Sequence, residues 1–191
     1  GYMYVLDENI DKVRAEEKRN EEARKKEGYD PGAVSTGLQT DIIQPLNIRA
    51  NQGDCVVITL RNQLDEEDVG LHIHGSSMVV QSTGAAATAS NSDANVEEGK
   101  SHVFEWYIRA DEQEGAHAFH SHVGREQASL GMIGSFIVEP MGSTYIDAVT
   151  GKETKSGWQV MIANPNIPDF REFVVFYHEI GDESFRPLNR F

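Results

Sequence analysis

Two short patterns constrain this chain more than any other feature: His72-Ile73-His74-Gly75 and His120-Ser121-His122. In an extended strand, residues i and i+2 point to one face. Each pattern therefore presents two imidazoles side by side and turns Ile73 or Ser121 the other way. Neutral imidazole is the commonest side-chain metal ligand and suits copper, zinc and iron. One such pair is unspecific, because a polar strand or a loop end gives the same pattern. Two pairs, each in a strand-like segment, point to a metal held between neighbouring strands.

The 191 residues suffice for one well-packed domain with extensions. No run of about 20 apolar residues exists, so no transmembrane helix is expected. Gly1 to Leu6 lacks the basic start of a secretory signal and runs quickly into acids. With 31 acidic against 17 basic residues, the net charge of −14 disfavours nucleic acid and anionic membrane as partners. It favours cations, divalent metal ions included, although solubility alone explains an acidic surface. Cys55 is the single cysteine, so no internal disulfide is possible and core packing must hold the fold.

Along the chain, Tyr2 to Leu6 alternates weakly and reads as a short strand. Residues 8–27 are rich in helix formers and poor in apolar positions, with acid–base spacing at Glu21–Lys25 and Glu22–Lys26. That predicts an exposed helical insertion, ended by Gly28. From Ile42 the pattern changes to short β-like runs between turns. Leu46 to Ala50 is followed by a turn over Asn51-Gln52-Gly53-Asp54 and a buried strand from Cys55 to Leu60, with Cys55 in the core. Leu71–His74, His102–Ile108, Ala116–His122 and Gly134–Val138 complete the set, and residues 82–95 read as a flexible loop. Strands at this spacing, with no long amphipathic helix among them, predict a β-sandwich or barrel. Glu139-Pro140-Met141-Gly142 closes the first domain, 1–140. Residues 141–170 are expected to be a turn-rich linker stiffened by Pro165 and Pro168. Arg171 to Glu179 reads as a strong strand, the opening of a following domain over 171–191, or else an added strand of the first.

The other histidines read as structural. His102 starts a strand, His117 points away from His120 if the strand is regular, and His178 is assigned no site. Met132, in Leu130-Gly131-Met132-Ile133-Gly134, reads as part of a tight packing turn rather than a soft metal ligand.

With these residues in view, the chain resembles the multicopper oxidases, which are built of cupredoxin domains. Leu71-His72-Ile73-His74-Gly75 matches that family's first copper motif. Phe119-His120-Ser121-His122-Val123, with Gln127, Gly131, Met132, Ile133, Gly134 and Val138, matches the second, about 46 residues on. Ile48 to Val56 and Arg61-Asn62 look like the family's glycine-aspartate turn and the strand after it. The resemblance covers about residues 40–140 and implies an all-β, cupredoxin-like Greek-key β-sandwich. It implies further that His72 ligates a type-2 copper and that His74, His120 and His122 ligate a coupled type-3 pair.

The implied activity takes single electrons from a donor, with a metal ion such as Fe(II) or Mn(II) as the candidate, and reduces dioxygen to water. The implied setting is extracellular, periplasmic or cell-surface, in keeping with a secreted oxidoreductase. The family completes its cluster with four histidines from another cupredoxin domain, and none remain here in suitable motifs. A type-1 copper also needs a cysteine between two cluster histidines, where this chain has Ser121. Type-1 copper is therefore not expected in this chain, and another domain or subunit must complete the cluster. Two rival readings stand beside this one. A mononuclear cupin-type enzyme wants a glutamate shortly after its His-X-His, where Val79 and Val80 stand here. A non-catalytic copper-binding or architectural cupredoxin domain in a larger assembly fits the isolated half-site.

Overall fold

Alternating apolar residues build two sheets whose inner faces meet. In β1 (Leu46–Asn51), Leu46, Ile48 and Ala50 turn inward; in β7 (Ile133–Glu139), Phe136 and Val138 do the same. The computed structural model describes residues 1–28, 42–74, 79–80, 95–123 and 125–178. The first sheet has the order β1-β7-β6-β3, with β6 spanning Gly115–His120 and β3 only His72–Ile73. The second has the order β2-β5-β4, with β2 Cys55–Arg61, β5 Ser101–Tyr107 and β4 Val79–Val80. β1 runs parallel to β7, whereas β6 is antiparallel to both β7 and β3. The chain crosses between the sheets from β1 to β2, β2 to β3, β3 to β4 and β5 to β6, giving the expected all-β, cupredoxin-like sandwich. Tyr4, Leu71, Ile73, Phe104, Trp106, Phe119, Met132 and Phe136 are buried in the core between the sheets.

Near the N-terminus a single 3-10 turn, Asp7–Asn9, leads into helix α1, Ile10–Arg24. Val13 is the one buried residue of α1, and the Lys25 ammonium meets the Glu21 carboxylate at 2.8 Å. The helix is thus the exposed, charged segment the sequence predicts, although it ends at Arg24, short of the expected stop at Gly28. Such an exposed pair is screened by solvent and contributes little to stability.

Tyr2 to Leu6 is not a strand. The Tyr2 N–H donates to the Leu130 carbonyl at 3.0 Å, but no ladder follows. Side chains anchor the segment instead: Tyr4 is buried edge-on against Phe119, with ring centroids 5.3 Å apart. Gly131, which that segment crosses, has φ +114°, and a Cβ there would lie 2.7 Å from the Tyr2 carbonyl oxygen, so only glycine fits.

Cys55 also departs from expectation, being exposed rather than in the core. β2 buries one face only, so Cys55, Val57 and Thr59 look outward, beside Val103 and Tyr107 of β5. A sheet with one solvated face alternates where a doubly covered one would not. Cys55 should therefore react with a thiol reagent in the native protein. Protection lasting until denaturant is added would contradict the outward placement.

Residues 141–170 are more ordered than a linker. They contain β8 (Thr144–Asp147) and β9 (Gln159–Asn164), and β10 begins at Ile167. The strand expected from Arg171 to Glu179 is β10, Ile167–Phe173, which pairs antiparallel with β9 in a third sheet, β10-β9-β8. Ser143, Tyr145 and Glu172 from this segment reach the outer face of β1. The coverage explains why Asn47, Arg49 and Asn51, outward-facing by alternation, are nonetheless buried. Arg49 bridges Glu139 at 3.0 Å and Glu172 at 2.5 Å. Burial, then the Glu172 carboxylate, push Glu139 up to about 8 against the opposing pull of Arg49. Most of the 82–95 loop reading, Gly75, and residues from Glu179 onward lie outside the described residues.

Candidate metal centre

Register brings the two histidine pairs together. β3 and β6 are antiparallel with His72 opposite His120 and Ile73 opposite Phe119. Residues directly opposite in an antiparallel pair share a face. All four imidazoles therefore lie on the outer face of the first sheet, while Ile73, Phe119 and Ser121 are buried behind them. The His74 N–H donates to the Ala118 carbonyl at 2.8 Å, one step past the ladder.

The rings are closely grouped. Centroids of His72 and His122 are 3.9 Å apart, His120 and His122 4.6 Å, His72 and His74 4.8 Å, and His74 and His120 5.0 Å. Nε2 of His74 and Nε2 of His120 are 2.9 Å apart. One ligand nitrogen from each of His72, His74 and His122 lies within 4.8 Å of the others. His120 Nδ1 is 2.9 Å from the Ser121 carbonyl, an acceptor. Nδ1 must therefore carry the proton, which leaves the Nε2 lone pair free to coordinate. His122 Nδ1 is buried without a hydrogen-bond partner.

Burial and then crowding favour the uncharged form of His72, His74 and His122. His72 is pushed down to about 4 by burial first, then by His122, His74 and His120. His74 is lowered by burial and by His120, and His122 by burial, His120 and His74. Neutral imidazole is the ligating form, so the cluster is ready for a metal at neutral pH.

The remaining histidines lie elsewhere. His117 Nε2 is 3.1 Å from the Gln113 carbonyl, His102 meets Phe104 edge-on, and His178 is exposed. Met132 is buried core. Gln127 supports the site without reaching it: its Nε2 donates to Glu67 at 3.0 Å and to the Asp68 carbonyl at 2.8 Å. These bonds tie the short helix α2 (Arg125–Ser129) to the segment before β3. Glu67 also accepts from the Tyr2 hydroxyl at 2.5 Å, and Tyr2 is pushed up to about 12, chiefly by that bond. Within the acidic run Asp65–Asp68, nothing distinguishes Glu67 by sequence. Its role depends on long-range contacts.

Comparison with known proteins adds to this geometry. A family model described as multicopper oxidase matches residues 33–143. An L-ascorbate oxidase of Cucumis sativus is 37% identical over 95 residues, 49% of this chain and 15% of that protein. A probable nitrite reductase-hydroxylamine oxidoreductase fusion protein of Kuenenia stuttgartiensis is 32% identical over 135 residues, 69% of this chain and 13% of that protein. A solved multicopper oxidase structure aligns over 48% of this chain and 30% of its own, at 26% identity and a TM-score of 0.39. The chain thus spans about 15% of the length of the ascorbate oxidases it matches.

Proposed function

The chain belongs to the multicopper oxidase family, and from that premise we propose that it supplies half of a trinuclear copper cluster. His72 is a ligand of the type-2 copper, and His74, His120 and His122 are ligands of the type-3 pair. The observation that carries this reading is the convergence of four imidazoles from two strands on one face, with His74 Nε2 and His120 Nε2 2.9 Å apart. That spacing suits two ligands of one ion at about 2.0–2.1 Å each. The donor set fits copper in kind as well: nitrogen donors held neutral, and a buried His122 Nδ1 that no protein group satisfies.

Bound copper supplies the redox chemistry, in which four electrons and four protons convert dioxygen to two waters. The chain's own residues hold and orient. Ile73 and Phe119 wedge the pairs against the core, and the Ser121 carbonyl fixes the tautomer of His120. Ser121 provides no thiolate between the histidines, so electrons arrive from a one-electron donor through another cupredoxin domain or subunit, which also completes the ligand set. The net charge of −14 favours a cationic donor such as Fe(II) or Mn(II). An extracellular, periplasmic or cell-surface setting accompanies this reading. Among the described residues, no helix is long and apolar enough to cross a membrane.

Metal analysis with electron paramagnetic resonance on the intact assembly tests the proposal. A coupled type-3 pair is silent, so total copper should exceed the copper seen by resonance. Equality of the two would replace the trinuclear reading with separate mononuclear sites. Copper bound without any dioxygen consumption would favour the non-catalytic, architectural role, the reading to which Ser121 lends weight.

A further inference from the structure

The ladder aligning the two histidine pairs is only two residues long, His72 against His120 and Ile73 against Phe119. Such a ladder guards its register weakly. A slip of β3 by one residue would turn His72 and His74 toward the core, and a slip of two would carry the pairs about 7 Å past each other. The single backbone bond from His74 to Ala118 continues it on one side. On the other side, a side chain replaces the backbone. The Gly70 N–H donates to Ser121 Oγ at 3.1 Å, and the Val123 N–H donates to the same oxygen at 3.3 Å. The Tyr4 hydroxyl donates to the Gly70 carbonyl at 2.6 Å, holding the other side of the same peptide segment. Tyr4, Gly70 and Ser121 are all buried, with Ser121 only 2% exposed. Continued one step past Leu71, the register would set Gly70 opposite His122, leaving that imidazole's face free of a competing side chain.

We propose that Ser121 is a positioning residue, whose hydroxyl clasps Gly70 to Val123, with Tyr4 behind it, and so sets the register in which the four imidazoles converge. This rests on the reading of those imidazoles as copper ligands. The N-terminal segment, which makes no ladder of its own, then has a specific task at the site: it delivers Tyr4. Buried polar groups that are fully hydrogen-bonded hold one arrangement against its competitors, because any shift leaves a donor or acceptor unpaired.

The test is copper titration of the full chain as wild type, Ser121→Ala, Ser121→Thr, Tyr4→Phe and His74→Ala. It is paired with the resonance spectrum of bound Cu(II) and with hydrogen exchange of the His74 amide in the metal-free chain. Ser121→Ala is expected to weaken copper binding about 10–100-fold, to change the spectrum and to speed exchange at His74. Ser121→Thr should recover all three readouts, and Tyr4→Phe, which removes one oxygen without changing the ring, should shift them in the same direction as alanine. A Ser121→Ala chain that melts earlier yet keeps wild-type copper affinity, spectrum and His74 exchange would overturn the clasp. Equal copper binding by wild type and His74→Ala would sink the ligand reading instead, and His74 exchange would still decide the clasp.

Discussion

Converting His120 to alanine is expected to cost more copper affinity than any other single substitution in the chain, well beyond the ~10–100-fold typical of supporting residues. His120 is the cross-strand partner of His72, lies 2.9 Å from His74 through their Nε2 atoms, and has its tautomer set by the Ser121 carbonyl. Its removal takes a ligand from the centre of the group. It should leave the metal-free fold within about 1 kcal/mol of wild type, because the ring is only half-buried on the outer face. The same variant has a second signature. His120 is among the causes that lower His72, His74 and His122, so all three should titrate at higher pH once it is gone. These groups are depressed relative to the unfolded chain. The metal-free wild type therefore loses stability as pH falls from about 6.5 toward the value near 4 of His72. That loss should be smaller in His120→Ala. Imidazole resonances followed by NMR, alongside copper titration, measure both effects. Unchanged copper stoichiometry and affinity would remove His120 from the ligand set.

Replacing Arg49 by methionine should produce the largest loss of stability, about 3–5 kcal/mol, the cost of leaving buried charge uncompensated. Arg49 is fully buried and bridges Glu139 and Glu172, and its other nitrogen donates to the Gly157 carbonyl at 3.3 Å. Burial first, then the neighbouring Glu172 carboxylate, push Glu139 up to about 8, and the single Arg49 guanidinium offsets this only in part. A raised carboxyl pKa contributes stability that is fully present below the unfolded value and is lost as pH rises through the folded one. The wild type should thus weaken from about pH 4.5 to beyond 8. Without Arg49, Glu139 loses the pull that lowers it and resists ionisation further, so the deficit of the variant should widen between pH 5 and pH 8.5. Urea denaturation at the two pH values reads this directly. A gap that stays constant would mean that the guanidinium contributes packing alone. Because Arg49 joins β1 to β7 and β10, the variant also tests whether the third sheet depends on the ion cluster for its seat on the sandwich.

Legibility from sequence followed the range of the interactions. The histidine pairs were readable because i,i+2 geometry is local: any strand sets His72 beside His74 and His120 beside His122. The strands from Leu46 to Val138, apart from the two-residue β4, were readable for the same reason, their alternation of apolar and polar residues being a property of neighbours. Errors arose where a second surface decided. Cys55-Val56-Val57-Ile58 looks like a doubly buried run, yet only one face of β2 meets the core. Arg49 alternates as a solvent-facing residue, yet β10 and the 153–157 segment cover it. Residues 141–170 look like a linker because their turns are dense, although Tyr145, Val160 and Ile162 form a small core of their own. Tyr2 to Leu6 has a strand's composition but no edge to pair with, and its tyrosines bond to Gly70 and Glu67 instead.

The sequence by itself determined the class of fold, the family, and the identity of the four imidazoles with the faces they share within each pair. Periodicity and motif spacing are encoded along the chain and need no partner to be read. The tertiary structure alone decided that His72 stands opposite His120, that the Nε2 atoms of His74 and His120 approach to 2.9 Å, and that Ser121 faces inward to clasp Gly70. Register between strands 46 residues apart is set by packing and by buried hydrogen bonds among distant residues, Tyr4 with Gly70 and Gly70 with Ser121. These cooperative terms exist only once the two sheets have closed on a common core, so no local pattern can carry them.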